Sequence, residues 1–171
     1  MSNSNNYSNK KYDFTGKVAL VTGSSSGIGA AIAIQLARYG AQVTITGRNV
    51  ANLAKVGQQI EQETSGASKP LQIIGDLAND DTLPGRLINE TIVRFGRLDI
   101  LVNNAGGGTP NGTLSSPNLL EEFDQVFRLN VRSVINLTQL SVSHLEKTKG
   151  NIVNISSIAA FTPVSVCFVC L

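Results

Sequence analysis

An α/β domain on a doubly wound parallel sheet is what these 171 residues predict, and three features carry that expectation. From Gly16 onward, short β-branched runs alternate with longer amphipathic stretches, the pattern of successive βαβ units. A glycine-rich turn joins the first run to the first amphipathic stretch. The length is about one domain's worth, and an apolar share of 42% is enough to build its core.

Residues 17–21 read as a buried strand, 27–39 as a helix with Ile28, Ile32 and Leu36 on one stripe, and 42–46 as a second strand, with Gly40 ending the helix. A second helix is expected over 49–64 and a third strand over 71–75. The third helix spans 80–95, with Asp80 or Asp81 as its cap, Pro84 in its first turn and Gly96 closing it. A fourth strand covers 100–103, and Asp99 before it reads as a loop residue that also braces the sheet. A Gly/Pro/Asn/Ser-rich loop runs to Pro117, and 119–147 is helical in two pieces meeting near Asn130. Gly150 leads into a fifth strand over 151–155. A complete doubly wound dinucleotide fold has about six strands in two halves, so the second half reads as unfinished. The expected organisation is a disordered lead-in over 1–13, one domain over 14–160 and an atypical apolar tail over 161–171, with no internal repeat.

Composition narrows the function. Fourteen Lys and Arg against twelve Asp and Glu leave no basic block for nucleic acid or a membrane surface, so a small soluble partner is expected. The Asn- and Ser-rich opening has no signal-peptide core, and no run reaches the ~18 apolar residues of a span. A cytoplasmic protein is the resulting expectation. Cys167 and Cys170 have C-x-x-C spacing, but two thiolates cannot fill a four-ligand zinc site, and no helix follows to support a redox pair. Prenylation would require Cys where Phe168 stands. No metal is expected.

The turn Thr22-Gly-Ser-Ser-Ser-Gly-Ile-Gly29 lies between a strand and a helix. Glycines there let the backbone approach a pyrophosphate held by the orphan amides and positive dipole end of the helix, a task that falls to Gly23, Gly27 and Gly29. No Gly-Lys-Ser/Thr ending is present, so a P-loop NTPase would have no lysine for its phosphates. The structural alternative is a tight turn with glycines for packing only. An NAD site places Asp or Glu about twenty residues past the glycines, whereas an Arg there accommodates a 2′-phosphate. No acidic residue occurs between Asp13 and Glu61, and the second strand ends Thr46-Gly47-Arg48-Asn49. A guanidinium at Arg48 favours NADP(H) over NAD(H).

Together these segments resemble the short-chain dehydrogenase/reductase family: the Thr22–Gly29 turn, Asp76-Leu77, Asn103-Asn-Ala-Gly106, Asn130 and Asn154-Ile-Ser-Ser157 occur in that family's order and spacing over roughly residues 14–160. The resemblance implies a Rossmann-like fold and a cofactor site drawn from Gly23, Ser25, Ser26, Gly27, Ile28, Gly29, Arg48, Asp76, Leu77, Asn103, Asn104, Ala105 and Gly106. It implies that Asp76 bonds the adenine edge, that Leu77 lies against the ring, and that Asn103 and Asn104 brace the sheet while lining the groove. Asp76 capping a turn is the structural alternative. For chemistry it implies that Ser157 bonds the substrate oxygen and that Asn130 holds a water.

The family's other two catalytic residues form a Tyr-x-x-x-Lys pair about a dozen residues past the serine. In that pair the lysine lowers the tyrosine pKa so that the phenol exchanges a proton with substrate. Here the last tyrosine is Tyr39 and the last lysine Lys149, and residues 163–171 contain nothing to replace them. Loss of a general acid costs about 10²–10⁴ in rate, so normal turnover of an alcohol or ketone is not expected from this chain. Three readings follow: an NADP(H)-dependent oxidoreductase by ancestry, a non-catalytic dinucleotide- or partner-binding protein, and a truncated product without a function of its own. Marginal stability and an exposed fifth-strand edge are expected of the chain alone. Homo-oligomers occur in the family, through the long helix before the fifth strand and the one after it.

Overall fold

The computed structural model describes residues 12–108 and 116–158. Most of the lead-in, part of the loop before Pro117, and the tail with Cys167 and Cys170 lie outside these residues. The chain runs β1 (Val18–Val21), α1 (Gly27–Arg38), β2 (Gln42–Gly47), α2 (Val50–Glu63), β3 (Leu71–Ile74), α3 (Leu83–Phe95) and β4 (Ile100–Asn103). It continues through α4 (Leu119–Phe127), a π turn (Arg128–Arg132), α5 (Ser133–Thr148) and β5 (Asn151–Asn154). All strand pairs are parallel, and the sheet order is β3-β2-β1-β4-β5.

Alternation along the strands builds two cores. Ala19, Val21, Val43, Ile45 and Val102 point to one face, where Ala30, Ala33 and Ile34 of α1 and Leu53, Val56 and Ile60 of α2 cover them. Leu20, Ile73 and Leu101 point to the other, against Leu83, Leu87 and Ile88 of α3 and Leu137 and Leu145 of α5. The result is a three-layer α/β sandwich, the Rossmann-like architecture the alternation predicts.

Two local expectations are corrected. The fully buried stripe of α1 is Ala30, Ala33, Ile34 and Ala37; Ile32 and Leu36 pack beside it, partly buried, and Ile28 is 64% exposed. Short alanines let the helix lie close to β1, and the larger side chains turn to its flanks. Helix α3 starts at Leu83, later than expected, because Asp80 caps a preceding turn: its Oδ1 accepts from the Thr82 amide at 2.9 Å and the Leu83 amide at 3.2 Å. Those bonds, with that from the Thr82 hydroxyl first, hold the Asp80 carboxyl below the usual carboxylate range. Strand β5 is the outermost strand described; all four of its residues are exposed, with Val153 at 44%.

Asp99 braces the sheet, as its position suggests. It is only 2% exposed and accepts from the Val18 amide at 3.0 Å, from Lys17 Nζ at 3.1 Å, and from Arg97 at 2.7 and 2.8 Å. Its backbone carries β1 and β5 as well: its N–H donates to Val18 O and its C=O accepts from the Asn151 amide. Burial pushes the Asp99 carboxyl up, but the bonds from Arg97, the Val18 amide and Lys17 outweigh it and leave the pKa below its ordinary value. A depressed folded-state pKa supplies stability that is present above the unfolded pKa of about 3.9 and lost as pH falls through the folded value. Asp99→Asn is therefore expected to lower stability by about 1–3 kcal/mol at pH 7, with the gap from wild type closing as pH falls below the unfolded pKa of about 3.9. Thermal melts across that range would show a constant gap if Asp99 were not ionised in the fold.

Candidate cofactor-binding site

The strand order places a topological switch at the centre of the sheet. From β1 the chain moves outward to β2 and β3, then returns to β1's other side as β4. The loops leaving β1 and β4 therefore diverge and open a crevice at the carboxyl ends of both strands, where open α/β sheets hold ligands. The glycine-rich turn follows β1, and Asn104-Ala105-Gly106 follows β4.

One hydroxyl stitches these loops together. Thr22 Oγ1 donates to Val102 O at 3.3 Å and accepts from the amides of Asn104 and Ala105, both at 2.9 Å. The Asn104 side-chain amide donates in return to Thr22 O at 2.9 Å and Gly23 O at 3.2 Å. Ser24 ties the turn to β2 in the same way: its hydroxyl donates to Val21 O at 2.8 Å and accepts from the Thr46 amide at 2.9 Å. Neither Thr22 nor Ser24 is singled out by the motif reading, which assigns the turn's chemistry to its glycines.

Those glycines divide the work. Gly23 has φ +61°, and a Cβ there would sit 2.8 Å from Ala105 Cα. A Cβ at Gly29 would strike Asn104 Nδ2 and Gly23 O, so both residues serve packing. Gly27 differs, with φ +55° and open space where a Cβ would project. Just before it stands Ser26, the N-cap of α1, whose side chain makes no capping bond; the first turn also carries no acidic residue. The positive end of the helix is thus left without a side-chain partner at the mouth of the crevice.

The crevice has two lobes. A cleft of about 180 Å³ is lined by Gly23, Ser25, Ser26, Arg48, Asp76 and Leu77, together with Thr46 and Leu129. A cavity of about 410 Å³ lies over the ends of β4 and β5, lined by Asn103, Asn130, Val134, Asn154 and Ser157 among others. Ala105 and Gly106 line both, which makes the two lobes one groove. Gly27, Ile28, Gly29 and Asn104 line neither lobe: Gly29 and Asn104 pack behind the turn, Ile28 faces outward, and a Cβ at Gly27 would meet open space.

Arg48 is 74% exposed in its side chain, and its guanidinium stands 3.9 Å from Asp76 Oδ2. Asp76 does cap the turn after β3: Oδ1 accepts from the Ala78 amide at 3.0 Å and Oδ2 from Asn79 Nδ2 at 3.0 Å. It does so while lining the cleft.

The expected break near Asn130 is a π turn between α4 and α5 rather than a gap. Within that turn Leu129 lines the small lobe and Asn130 the large one. The Asn130 side chain clamps Gly107 from both sides: Oδ1 accepts from its amide at 3.0 Å and Nδ2 donates to its carbonyl at 2.9 Å. At the sheet, Asn103 Nδ2 donates to Asn154 Oδ1 at 2.9 Å and holds the ends of β4 and β5 together below Ser157.

Two buried polar atoms on the groove wall have no hydrogen-bond partner among the described residues: Thr46 Oγ1 in the small lobe and Asn103 Oδ1 in the large one. Buried polar groups are ordinarily satisfied, so each keeps bonding capacity for a water or a polar ligand. With the N-cap Ser26 of α1 and the Arg48 guanidinium lining the small lobe beside Thr46, the residues present suit an elongated anionic dinucleotide.

Fold and groove together define a Rossmann-type α/β unit of the dinucleotide-binding class. The family model for short chain dehydrogenases matches residues 17–169. L-Fucose dehydrogenase of Mus musculus is 40% identical over 145 residues, covering 85% of this chain and 50% of that protein. Among solved structures, the apo glucose dehydrogenase of Caenorhabditis elegans has a TM-score of 0.75 at 45% identity, over 85% of this chain and 56% of its own. The L-sorbose reductase of Gluconobacter frateurii, complexed with NADPH and L-sorbose, has a TM-score of 0.83 at 30% identity, over 91% and 58%. The chain belongs to the short-chain dehydrogenase family. It spans about half the length of the curated relatives it matches, 50% of the mouse protein.

Proposed function

We propose that this chain is the NADP(H)-binding part of an oxidoreductase that interconverts an alcohol and a ketone. The observation that carries the proposal is the α1 amino terminus, free of side-chain caps and opening into the crevice between β1 and β4. Amides there bind the pyrophosphate, and the glycine turn is held in place by Thr22 and Ser24. Arg48 takes the 2′-phosphate, and Asp76 and Leu77 border the adenine. When bound, NADPH would supply hydride to the ketone and NADP⁺ would accept it from the alcohol.

The large lobe is where the substrate carbonyl belongs, because Ser157 and Asn130 both line it. The Ser157 hydroxyl donates to the substrate oxygen and fixes its orientation. Asn130 shapes the lobe by clamping Gly107, and its Oδ1 keeps a second lone pair for a water. The proton donor is not among these 171 residues, since no Tyr-x-x-x-Lys follows Ser157. Binding without turnover is therefore the behaviour expected of this chain by itself.

Titration of the purified chain with NADPH, followed by the cofactor's own fluorescence, is expected to saturate. A strictly linear signal up to millimolar NADPH would remove the proposal.

A further inference from the structure

We propose that the Thr46 hydroxyl is a binding donor to the adenosine moiety, an inference that rests on the dinucleotide reading above. Thr46 is 1% exposed, lies near the end of β2 two residues before Arg48, and lines the small lobe with Asp76 and Leu77. Its Oγ1 is buried with no partner among the described residues.

The same strand offers a comparison. Thr44 occupies the same face one pleat earlier and is as fully buried, yet its hydroxyl is 2.9 Å from that of Thr91, which donates onward to Leu87 O. Strand β2 thus has a satisfied threonine where the helix layer covers it and an unsatisfied one where it meets the groove. Thr46 cannot easily shift to find a protein partner. Its amide donates to Ser24 Oγ at 2.9 Å and its carbonyl accepts from the Ser24 amide at 2.9 Å, so its backbone is clamped on both sides.

Valine fills the same space and suits a strand equally well, as Val43 does on the opposite face. A hydroxyl kept here without a partner lowers stability relative to valine, and a ligand acceptor offsets that loss. The helix amino terminus takes the pyrophosphate and the exposed Arg48 guanidinium the 2′-phosphate. The Thr46 donor, in the lobe it shares with Leu77 and Arg48, is left for a purine nitrogen or a ribose oxygen. These acceptors are common to NADPH, NADH and 5′-AMP.

The test compares wild type, Thr46→Val and Thr46→Ser in affinity for NADPH, NADH and 5′-AMP, and in melting temperature without ligand. Thr46→Val is expected to melt at or above the wild-type temperature while losing about 3–15-fold in affinity for all three ligands, the worth of one hydrogen bond. Thr46→Ser, which keeps the hydroxyl, should stay within about twofold of wild type by the same arithmetic. A lowered melting temperature with unchanged affinities in Thr46→Val would make the hydroxyl purely structural and overturn the inference. A loss confined to NADPH would reassign it to the 2′-phosphate and also overturn it. If wild type bound none of the three, the dinucleotide reading would fall and take this one with it. That result is distinct from equal binding by wild type and variant, which sinks this inference alone.

Discussion

Gly23→Ala is expected to weaken NADPH binding at least about 100-fold and to lower the melting temperature of the free chain by about 5–15 °C. Two costs add at this position. Its φ of +61° is left-handed, which costs an alanine about 1–2 kcal/mol. The new Cβ would also lie 2.8 Å from Ala105 Cα, a backbone atom, and relieving such overpacking costs about 1–3 kcal/mol. Ala105 cannot yield freely, because its amide is bonded to Thr22 Oγ1 at 2.9 Å and its neighbour Asn104 is bonded to Gly23 O. The strain is therefore transmitted to both loops that border the crevice, and the amides of the α1 terminus move out of position. Gly27→Ala gives the control. It carries the same left-handed strain, with φ +55°, but meets open space, so its melting temperature should fall by only about 2–6 °C. Calorimetry and NADPH titration of both variants check this. Gly23→Ala binding NADPH within a few-fold of wild type would show that the loops are not coupled as the hydrogen bonds indicate.

The legible part of this site is the part carried by backbone geometry. A glycine-rich turn between a strand and a helix, and an Asn-Asn-Ala-Gly turn after the fourth strand, can each be seen in the sequence because glycine and turn residues punctuate it. Their meeting across the crevice follows from the order of parallel strands, and the structure places them there. What could not be read was which ordinary hydroxyls do the holding. Thr22, Ser24, Thr44 and Thr46 are all buried, and a strand threonine looks the same in sequence whether it bonds a loop, a helix or nothing. The α1 stripe departs from its hydrophobic periodicity for a related reason. Periodicity weighs Ile28, Ile32 and Leu36 above the alanines, whereas close packing on β1 buries Ala30, Ala33 and Ala37 beside Ile34. The junction near Asn130 could be located but not described, since a π turn differs from two abutting helices only in its backbone.

Arg48→Ala is expected to lower NADPH affinity by about 10–100-fold while leaving NADH within about threefold of wild type, the range for losing one charge-assisted contact. The basis is what surrounds the guanidinium. No acidic residue precedes it in the sequence back to Asp13, so nothing stands where an NAD site keeps a carboxylate for the ribose hydroxyls. Asp76 is the one carboxylate at hand on the cleft wall among the described residues, and it is already bonded to the Ala78 amide and Asn79. At 3.9 Å, and with Arg48 74% exposed, the ion pair between them is weak, so little is lost when the arginine turns to a phosphate. Arg48→Glu should go further and invert the preference, because a carboxylate there repels a 2′-phosphate and accepts from a ribose hydroxyl. Salt adds an independent check. Attraction between an exposed arginine and a phosphate dianion is screened, so wild-type NADPH affinity should fall between about 0.05 and 0.5 M salt, as the screening length shrinks past the contact's reach, while the Arg48→Ala affinity should change much less. Equal loss of NADPH and NADH in Arg48→Ala would mean that the residue supports the shape of the cleft and does not read the phosphate.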